Sequence, residues 1–407
     1  MKRSSIRFLD KTIYGFAILF TLDRLLKIVA VINFFRRPQP PPPSSWPSVT
    51  LLQPITRGTS NLLQSLRTRA LLDYPATVQH LLICDAYDVS SLSIVSSYLA
   101  EFQQLQAEVL LVEPDCGTIG AIATKMKKLQ VALPKASGDV LCFVDDDVAF
   151  RSKSLEILIP YLFQPGIGVA FGFPCFTNWQ TVWSSLISSF INAHMLLSFA
   201  AMTYLTKPIR INGHIFAFRK EVFRDIGGLD DLEQYIDDEY TIAQRVRSHN
   251  LHAKQTPLIY DIDNSLNSLS AYTKQFKRWF VMPRQAMMPS LKPKEKLVAS
   301  IASVDLPLPG IIALLALFTR RRSALWALSI SLAVFGISYT LCEHRYLQRH
   351  MPLRRWPLLF IVAIWTPLHV LWTLLMGNEV EWRGQRMRLH RDGTVEISSS
   401  GMEGNYH

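Results

Sequence analysis

Cysteine is scarce: five in 407 residues, at Cys84, Cys116, Cys142, Cys175 and Cys342, with no CxxC pair and no histidine at metal-ligand spacing. Neither a disulfide framework nor a cysteine-ligated zinc site is indicated, and the thiols are expected to serve as small buried apolar residues in a body facing a reducing compartment. No segment interleaves basic and aromatic residues in the manner of a nucleic-acid-binding motif, so nucleic acid is not expected as a partner. Negative charge is also short, 32 Asp and Glu against 43 Lys and Arg, for a net +11. The excess lies beside apolar runs: Lys2, Arg3, Arg7 and Lys11 before the first, Arg36 and Arg37 after it, Arg320 to Arg322 and Arg383 to Arg391 near the last. Basic residues so placed suit a membrane surface first and a phosphorylated substrate second.

The first apolar run, residues 12–35, is long enough to cross a bilayer but carries Asp23, Arg24 and Lys27 near its middle. It has no small-residue cleavage site after a short apolar core, so residues 1–37 are expected to form a membrane anchor rather than a removed signal. Residues 38–48, with PQPPPPSSWP, form a stiff spacer that no helix can enter. From Val49 short apolar strands alternate with helical patterns: strands at 49–55, 80–86, 108–113 and 140–147, helices near 60–71, 90–106 and 120–136. This rhythm predicts an α/β domain over 49–292 with a Rossmann-like, mainly parallel sheet. Residues 178–207 repeat apolar positions at helical spacing and predict a core or membrane-facing helix. Apolar stretches at 297–318, 324–342 and 356–376 predict membrane and interfacial helices over 293–376, the first interrupted by Asp305, Pro307 and Pro309, before a basic tail at 377–407.

Three segments can carry chemistry. FVDDDVAF (143–150) ends an apolar strand in three acids, and strand alternation predicts Asp145 and Asp147 on one side, where Mn or Mg can bridge them to a diphosphate. The bland alternative is an acidic turn. IDDEYTIAQRV (236–246) opens a helix with acids that either complement its dipole or take a proton from an attacking hydroxyl. QFKRW (275–279) puts Gln275, Arg278 and Trp279 on one helical face, either a surface cluster or a grip for a diphosphate beside a ring that packs on a sugar.

The order of a strand-end Asp, DxD, an acidic triplet and QxxRW resembles inverting glycosyltransferases with the A-type nucleotide-sugar fold. VTLLQPITRG (49–58), INGHIFAFRKEVFRDIGGLDDLEQYIDDEY (211–240) and EWRGQRMRLHRDGT (381–394) narrow the resemblance to the ceramide glucosyltransferase family. That resemblance implies Asp85, or Asp88 if the strand ends later, as the acid that contacts uridine, Asp145 as donor-binding, and Asp145 and Asp147 as metal ligands. It implies Glu239 as the base, with Asp238 in competition because an aspartate is more usual there, and Gln275, Arg278 and Trp279 as donor-binding residues. The implied donor is UDP-glucose and the implied acceptor a ceramide-like membrane lipid, whose tail His194 and Trp183 of the apolar 178–207 segment are placed to receive. A different lipid acceptor, a processive polysaccharide synthase and an inactive membrane scaffold stand as alternatives. The implied setting is a bacterial inner membrane or a Golgi membrane with the catalytic body in the cytoplasm. If 297–318 does not cross, Arg320 to Arg322 fall on the side of that body, and the loop 343–355 falls outside with Arg345, Arg349, Arg354 and Arg355.

Overall fold

A computed structural model describes residues 3–56, 58–59, 61–113, 124–235, 238–382 and 385–397. Cys116 lies outside the described residues, and the other four cysteines are free and buried. Eight strands build the main sheet: β1 (Val49–Pro54), β2 (Val78–Asp85), β3 (Gln106–Val112), β4 (Val140–Val144), β5 (Val148–Ala149), β6 (Ile167–Phe176), β7 (Ile215–Arg219) and β8 (His252–Ile262). Their order is β3-β2-β1-β4-β7-β6-β8-β5. The first four are mutually parallel, β7 runs antiparallel between β4 and β6, β6 and β8 are parallel, and β5 pairs antiparallel with β8. The mainly parallel sheet expected from the alternation of strands and helices is therefore present.

Thirteen α-helices are described, besides short 3-10 and π turns: α1 (Arg3–Arg36), α2 (Leu62–Ala70), α3 (Val89–Glu101), α4 (Lys125–Ala132), α5 (Ser154–Leu158), α6 (Val182–Leu205), α7 (Lys220–Asp225), α8 (Asp238–Ser248), α9 (Leu269–Met282), α10 (Pro293–Ala302), α11 (Leu308–Thr319), α12 (Arg322–Cys342) and α13 (Trp356–Leu375). A small antiparallel sheet, β9 (Glu379–Trp382), β10 (Gln385–Leu389) and β11 (Val395–Ile397), packs on α9 through Val281, Val380 and Leu389. The central strands are buried on both faces, and residue alternation decides which cover each side chain meets. Val140, Cys142 and Val144 of β4 join a cluster with Ile187 and Ile191 of α6 and Leu359 of α13. Leu141 and Phe143 join the opposite one, with Leu129 of α4, Phe223 of α7 and Ile242 of α8. The long apolar helices are thus packed directly against one face of the α/β sheet.

Among the described residues three helical segments are long and apolar enough to cross a membrane: Val182–Leu205, Arg322–Leu347 and Leu353–Leu375. In α1 the three charges interrupt the apolar run, and they are inside the protein. Arg24 Nε lies 3.0 Å and Lys27 Nζ 2.6 Å from the carboxylate of Asp305, and Lys27 also pairs with Asp23 at 2.8 Å. Asp305 sits in the turn between α10 and α11, so the interrupted stretch 297–318 is a broken helix whose break is held by α1.

The polarity of the bundle corrects one expectation. α1 and α12 run parallel: Arg321 grips Asp10 at 2.7 Å at one end, and Phe35 packs on Tyr346 at 4.6 Å at the other. The neighbouring Phe34 packs on Phe173 of β6 at 5.5 Å. The 24 residues from Asp10 to Phe34 span roughly 36 Å, so the Arg320–Arg322 turn is at the end remote from the sheet, not beside it. The loop 343–355 is the part beside the sheet, where Arg349 bonds Asp261 of β8 at 3.0 Å and Arg355 donates to Trp179 O at 3.1 Å. Charge counting missed this because α11, at 12 residues, is too short to cross yet still carries the chain outward.

Candidate active site

The acids at 145–147 do not extend a strand, contrary to the alternation expected from sequence. β4 ends at Val144, and a turn follows in which Asp145 N donates to His214 O at 3.0 Å and Val148 N to Asp145 O at 3.4 Å. The turn gives each carboxylate a different task. Asp146 folds back and accepts from Thr56 N at 2.5 Å and Thr59 Oγ1 at 2.7 Å, tying down the loop after β1. Asp145 faces Lys125, whose Nζ lies 3.0 Å from its Oδ1. Asp147 is turned inward, and its Oδ1 is buried with no hydrogen-bond partner among the described residues. Burial, followed by the charges of Asp146 and Asp145, raises the Asp147 pKa well above the carboxylate range. An all-oxygen donor set with an unsatisfied buried oxygen fits a hard divalent cation.

Beneath the turn lies Arg69, only 2% exposed. Its guanidinium donates to Val148 O at 3.2 Å and Asp145 O at 3.4 Å, and also to Ser65 O at 2.5 Å. One buried cation thereby holds both flanks of the acidic turn.

Lys125 opens α4 and reaches across the site. It lies 3.7 Å from Asp238 Oδ2 at the start of α8, so one ammonium bridges the DxD turn and the second acidic segment. Burial disfavours that ammonium, but Asp145, Asp238 and Glu239 outweigh it and raise its pKa. Asp238 is raised to about 6, chiefly by burial, against the pull of Lys125. Its neighbour Glu239 turns the other way, with Arg210 Nη2 3.1 Å from its Oε2. The Glu239 carboxylate rests on Gly213, where a Cβ would sit inside it. Ile236 and Asp237 of the same segment lie outside the described residues. His214, next to Gly213, is held neutral with its pKa lowered to about 4, mainly by burial.

Asp145, Asp147, Asp238 and Glu239 line one cavity of about 400 Å³ with Gln275, Arg278 and Trp279 of α9. Sequence spacing put those last three on one helical face, and that face lines the cavity, with Trp279 edge-on to Phe176 at 6.0 Å. Asp85 ends β2 buried on Lys128 at 2.7 Å, and Lys128, which also donates to Ile55 O at 2.6 Å, lines the cavity. Asp88 instead caps α3 by accepting from Ser91 N at 3.2 Å. A second, mostly apolar cavity of about 320 Å³ adjoins the first, the two sharing Phe190, Met195, Phe199, Arg210, Trp279, Phe280 and Pro283. His194 lines it and receives Arg24 Nη2 at 3.2 Å. Trp183 lines neither cavity and packs on Tyr272 at 5.9 Å. Sequence reasoning missed Lys125, Lys128, Arg210 and His214. Two signals were available: lysines one helical turn apart just before the DxD strand, and RINGH leading into β7, the strand paired with β4.

A mainly parallel sheet with acids beyond its strand ends, facing a helix whose Gln275, Arg278 and Trp279 line the same cavity, is an open α/β arrangement that binds ligands beyond the carboxyl ends of its strands. A mannosyltransferase of Pyrobaculum calidifontis, solved with GDP-mannose and Mn2+, shares that fold at TM-score 0.52 and 17% identity, over 89% of this chain and 99% of that one. Glucosyl-3-phosphoglycerate synthase of Mycobacterium tuberculosis, solved with Mn2+, UDP and glucosyl-3-phosphoglycerate, matches at TM-score 0.36 and 13% identity, over 64% of this chain and 80% of that one. The sequence profile of glycosyl transferase family 21 matches residues 16–395. The chain belongs to that family, the family of the ceramide glucosyltransferases, and is a glycosyltransferase.

Proposed function

We propose that the protein transfers glucose from UDP-glucose, with inversion, to the primary hydroxyl of ceramide or a closely similar membrane lipid. The observation that carries this is the apolar cavity opening into the acidic one across Arg210 and Trp279, beside helices able to cross a membrane. A lipid tail is the acceptor that such a cavity suits. The integral-membrane anchor at α1 and a catalytic body on the cytoplasmic side belong to the same proposal.

Glu239 acts as the base in this proposal, because it is the acid at Arg210, a charged side chain that lines both cavities. It takes the hydroxyl proton as the oxygen attacks the anomeric carbon opposite the diphosphate. Asp145 and Asp147 would hold a Mn or Mg ion, which when bound neutralises charge developing on the leaving diphosphate. Arg278 supplies further positive charge there, Gln275 and Trp279 orient the sugar, and Asp85 receives the uracil end through the wall it shares with Lys128. A second assignment, Asp238 as base, is favoured by its pKa of about 6, near the operating range of a general base. Its position beside Lys125 and Asp145 favours a role on the donor side instead.

The test is transfer of labelled hexose from UDP-glucose and UDP-galactose to ceramide in detergent, with Mn, Mg or EDTA, for the wild type and Asp145→Ala. Cation-dependent glucosylceramide, lost in the variant, is the expected result. Donor hydrolysis without a ceramide product would overturn the acceptor, and preference for UDP-galactose would overturn the sugar.

A further inference from the structure

Away from the active site, α12 ends in a π-helical turn, Glu343–Leu347, after which Gln348 adopts the left-handed conformation with φ of 53°. The chain reverses there and carries His350 back over the turn. Glu343, His344 and His350 consequently present one ligand atom each, all within 4.8 Å of one another. The two imidazole rings are 4.5 Å apart, and His350 Nδ1 lies 4.0 Å from Glu343 Oε2.

The state of the carboxylate is the informative part. Glu343 is 2% exposed, and its Oε1 already accepts two hydrogen bonds, from Tyr339 Oη at 2.9 Å and Met351 N at 2.7 Å. Both donors are neutral, and both fix the carboxylate so that Oε2 faces the histidines. Among the described residues no lysine or arginine pairs with it: Arg349 is committed to Asp261, and Arg345 lies over the ring of Tyr346. A buried carboxylate is costly without a counter-charge, and among the described residues no lysine or arginine supplies one.

We propose that Glu343, His344 and His350 bind a divalent transition metal of the zinc type, at a site separate from the acids of the active site. Two imidazoles and one carboxylate suit zinc, whereas the acid-only set at Asp145 and Asp147 suits harder ions. Ligands on tetrahedral zinc lie roughly 3.3 Å apart, a closure that two exposed imidazoles reach by side-chain rotation. The metal staples the end of α12 to the returning chain. That loop is itself joined to the catalytic sheet, since Arg151 donates to Leu347 O at 2.6 Å and Arg349 to Asp261, the register partner of Ala149. Ala149 is two residues beyond Asp147, so the staple bears on the strand that leaves the acidic turn.

The experiment uses the full chain in detergent, stripped with chelator and titrated with Zn2+ against a chromophoric competitor, with excess Mg2+ present to occupy the acids. Wild type, Asp145→Asn/Asp147→Asn and His344→Ala/His350→Ala are compared, each checked for monodispersity; both substituted histidines are exposed. Wild type and the aspartate variant should each bind one equivalent of Zn2+ and gain thermal stability from it. The histidine variant should bind more weakly by over the roughly 10- to 100-fold that loss of an outer-shell partner costs. Cobalt substitution should give visible d–d bands in the first two proteins and not in the third. Zinc binding that survives in the histidine variant, or disappears in the aspartate variant, or is absent from wild type, overturns the proposal.

Discussion

Replacing Gly213 with alanine isolates the geometry of the proposed base without touching its chemistry. A Cβ on residue 213 would stand 2.5 Å from both Cγ and Cδ of Glu239, where ordinary contact begins at 3.4 Å. Oε1 would stand nearer still, so the carboxylate, at the far end of a flexible side chain, must retreat by more than about 0.9 Å from its present place at Arg210. A misplacement of about 1 Å costs about 10²-fold in rate, or about 2.7 kcal/mol of transition-state stabilisation. The loss should appear in kcat, because neither the acidic turn nor the apolar cavity is altered. Hexose transfer measured against donor and acceptor concentration gives kcat and both KM values, and thermal unfolding in detergent controls for stability. A Gly213→Ala enzyme with kcat within a few-fold of wild type would refute Glu239 as the base and move the assignment to Asp238.

Arg69→Lys keeps a charge under the acidic turn but cannot span the three carbonyls that the guanidinium reaches, so the cation concentration for half-maximal activity should rise about tenfold with a smaller change in kcat; an unchanged metal requirement would dismiss Arg69 as a positioning residue. The Asp238 pKa of about 6 places an acid limb in kcat/KM for the donor, falling as pH drops through 6 and the carboxylate takes up its proton, and Asp238→Asn should flatten it. The linkage has the opposite sign for folding: a raised carboxyl pKa contributes stability below the unfolded value near 3.8 that is lost as pH climbs through 6. Asp305→Ala leaves Arg24 and Lys27 buried with Asp23 alone, which should cost about 3–5 kcal/mol and lower the thermal midpoint in detergent; an unshifted midpoint would show that the cluster is not structural.

The strands, the DxD and the QxxRW face were legible because each is a local pattern: buried β1 and β4 read as apolar runs, and Gln275, Arg278 and Trp279 follow from helical spacing alone. Asp88 was legible too, but as a helix cap its signal is the same as that of a ligand acid. Lys125 and Arg210 carried only weak local marks, a lysine one turn away and the RINGH segment; they become site residues only when α4 and the segment before β7 are brought over the same turn. The division of labour among Asp145, Asp146 and Asp147 was hidden for a related reason. Strand alternation is a sound rule until the strand stops, and β4 stops one residue before the first acid.

The buried cluster at the break between α10 and α11 also sets an order of assembly. Lys27 is made early, and its partner Asp305 comes 278 residues later. At about 5–20 residues per second of synthesis, roughly 14 to 56 s separate the two. During that interval α1 has Asp23 but not the acid that completes its pairing, so its mature position is unavailable to a nascent chain lacking α10. Completion of the broken helix is thus a late checkpoint on the first helix, and truncations ending before residue 305 should be recognised by quality control as unfinished even when the α/β sheet has formed.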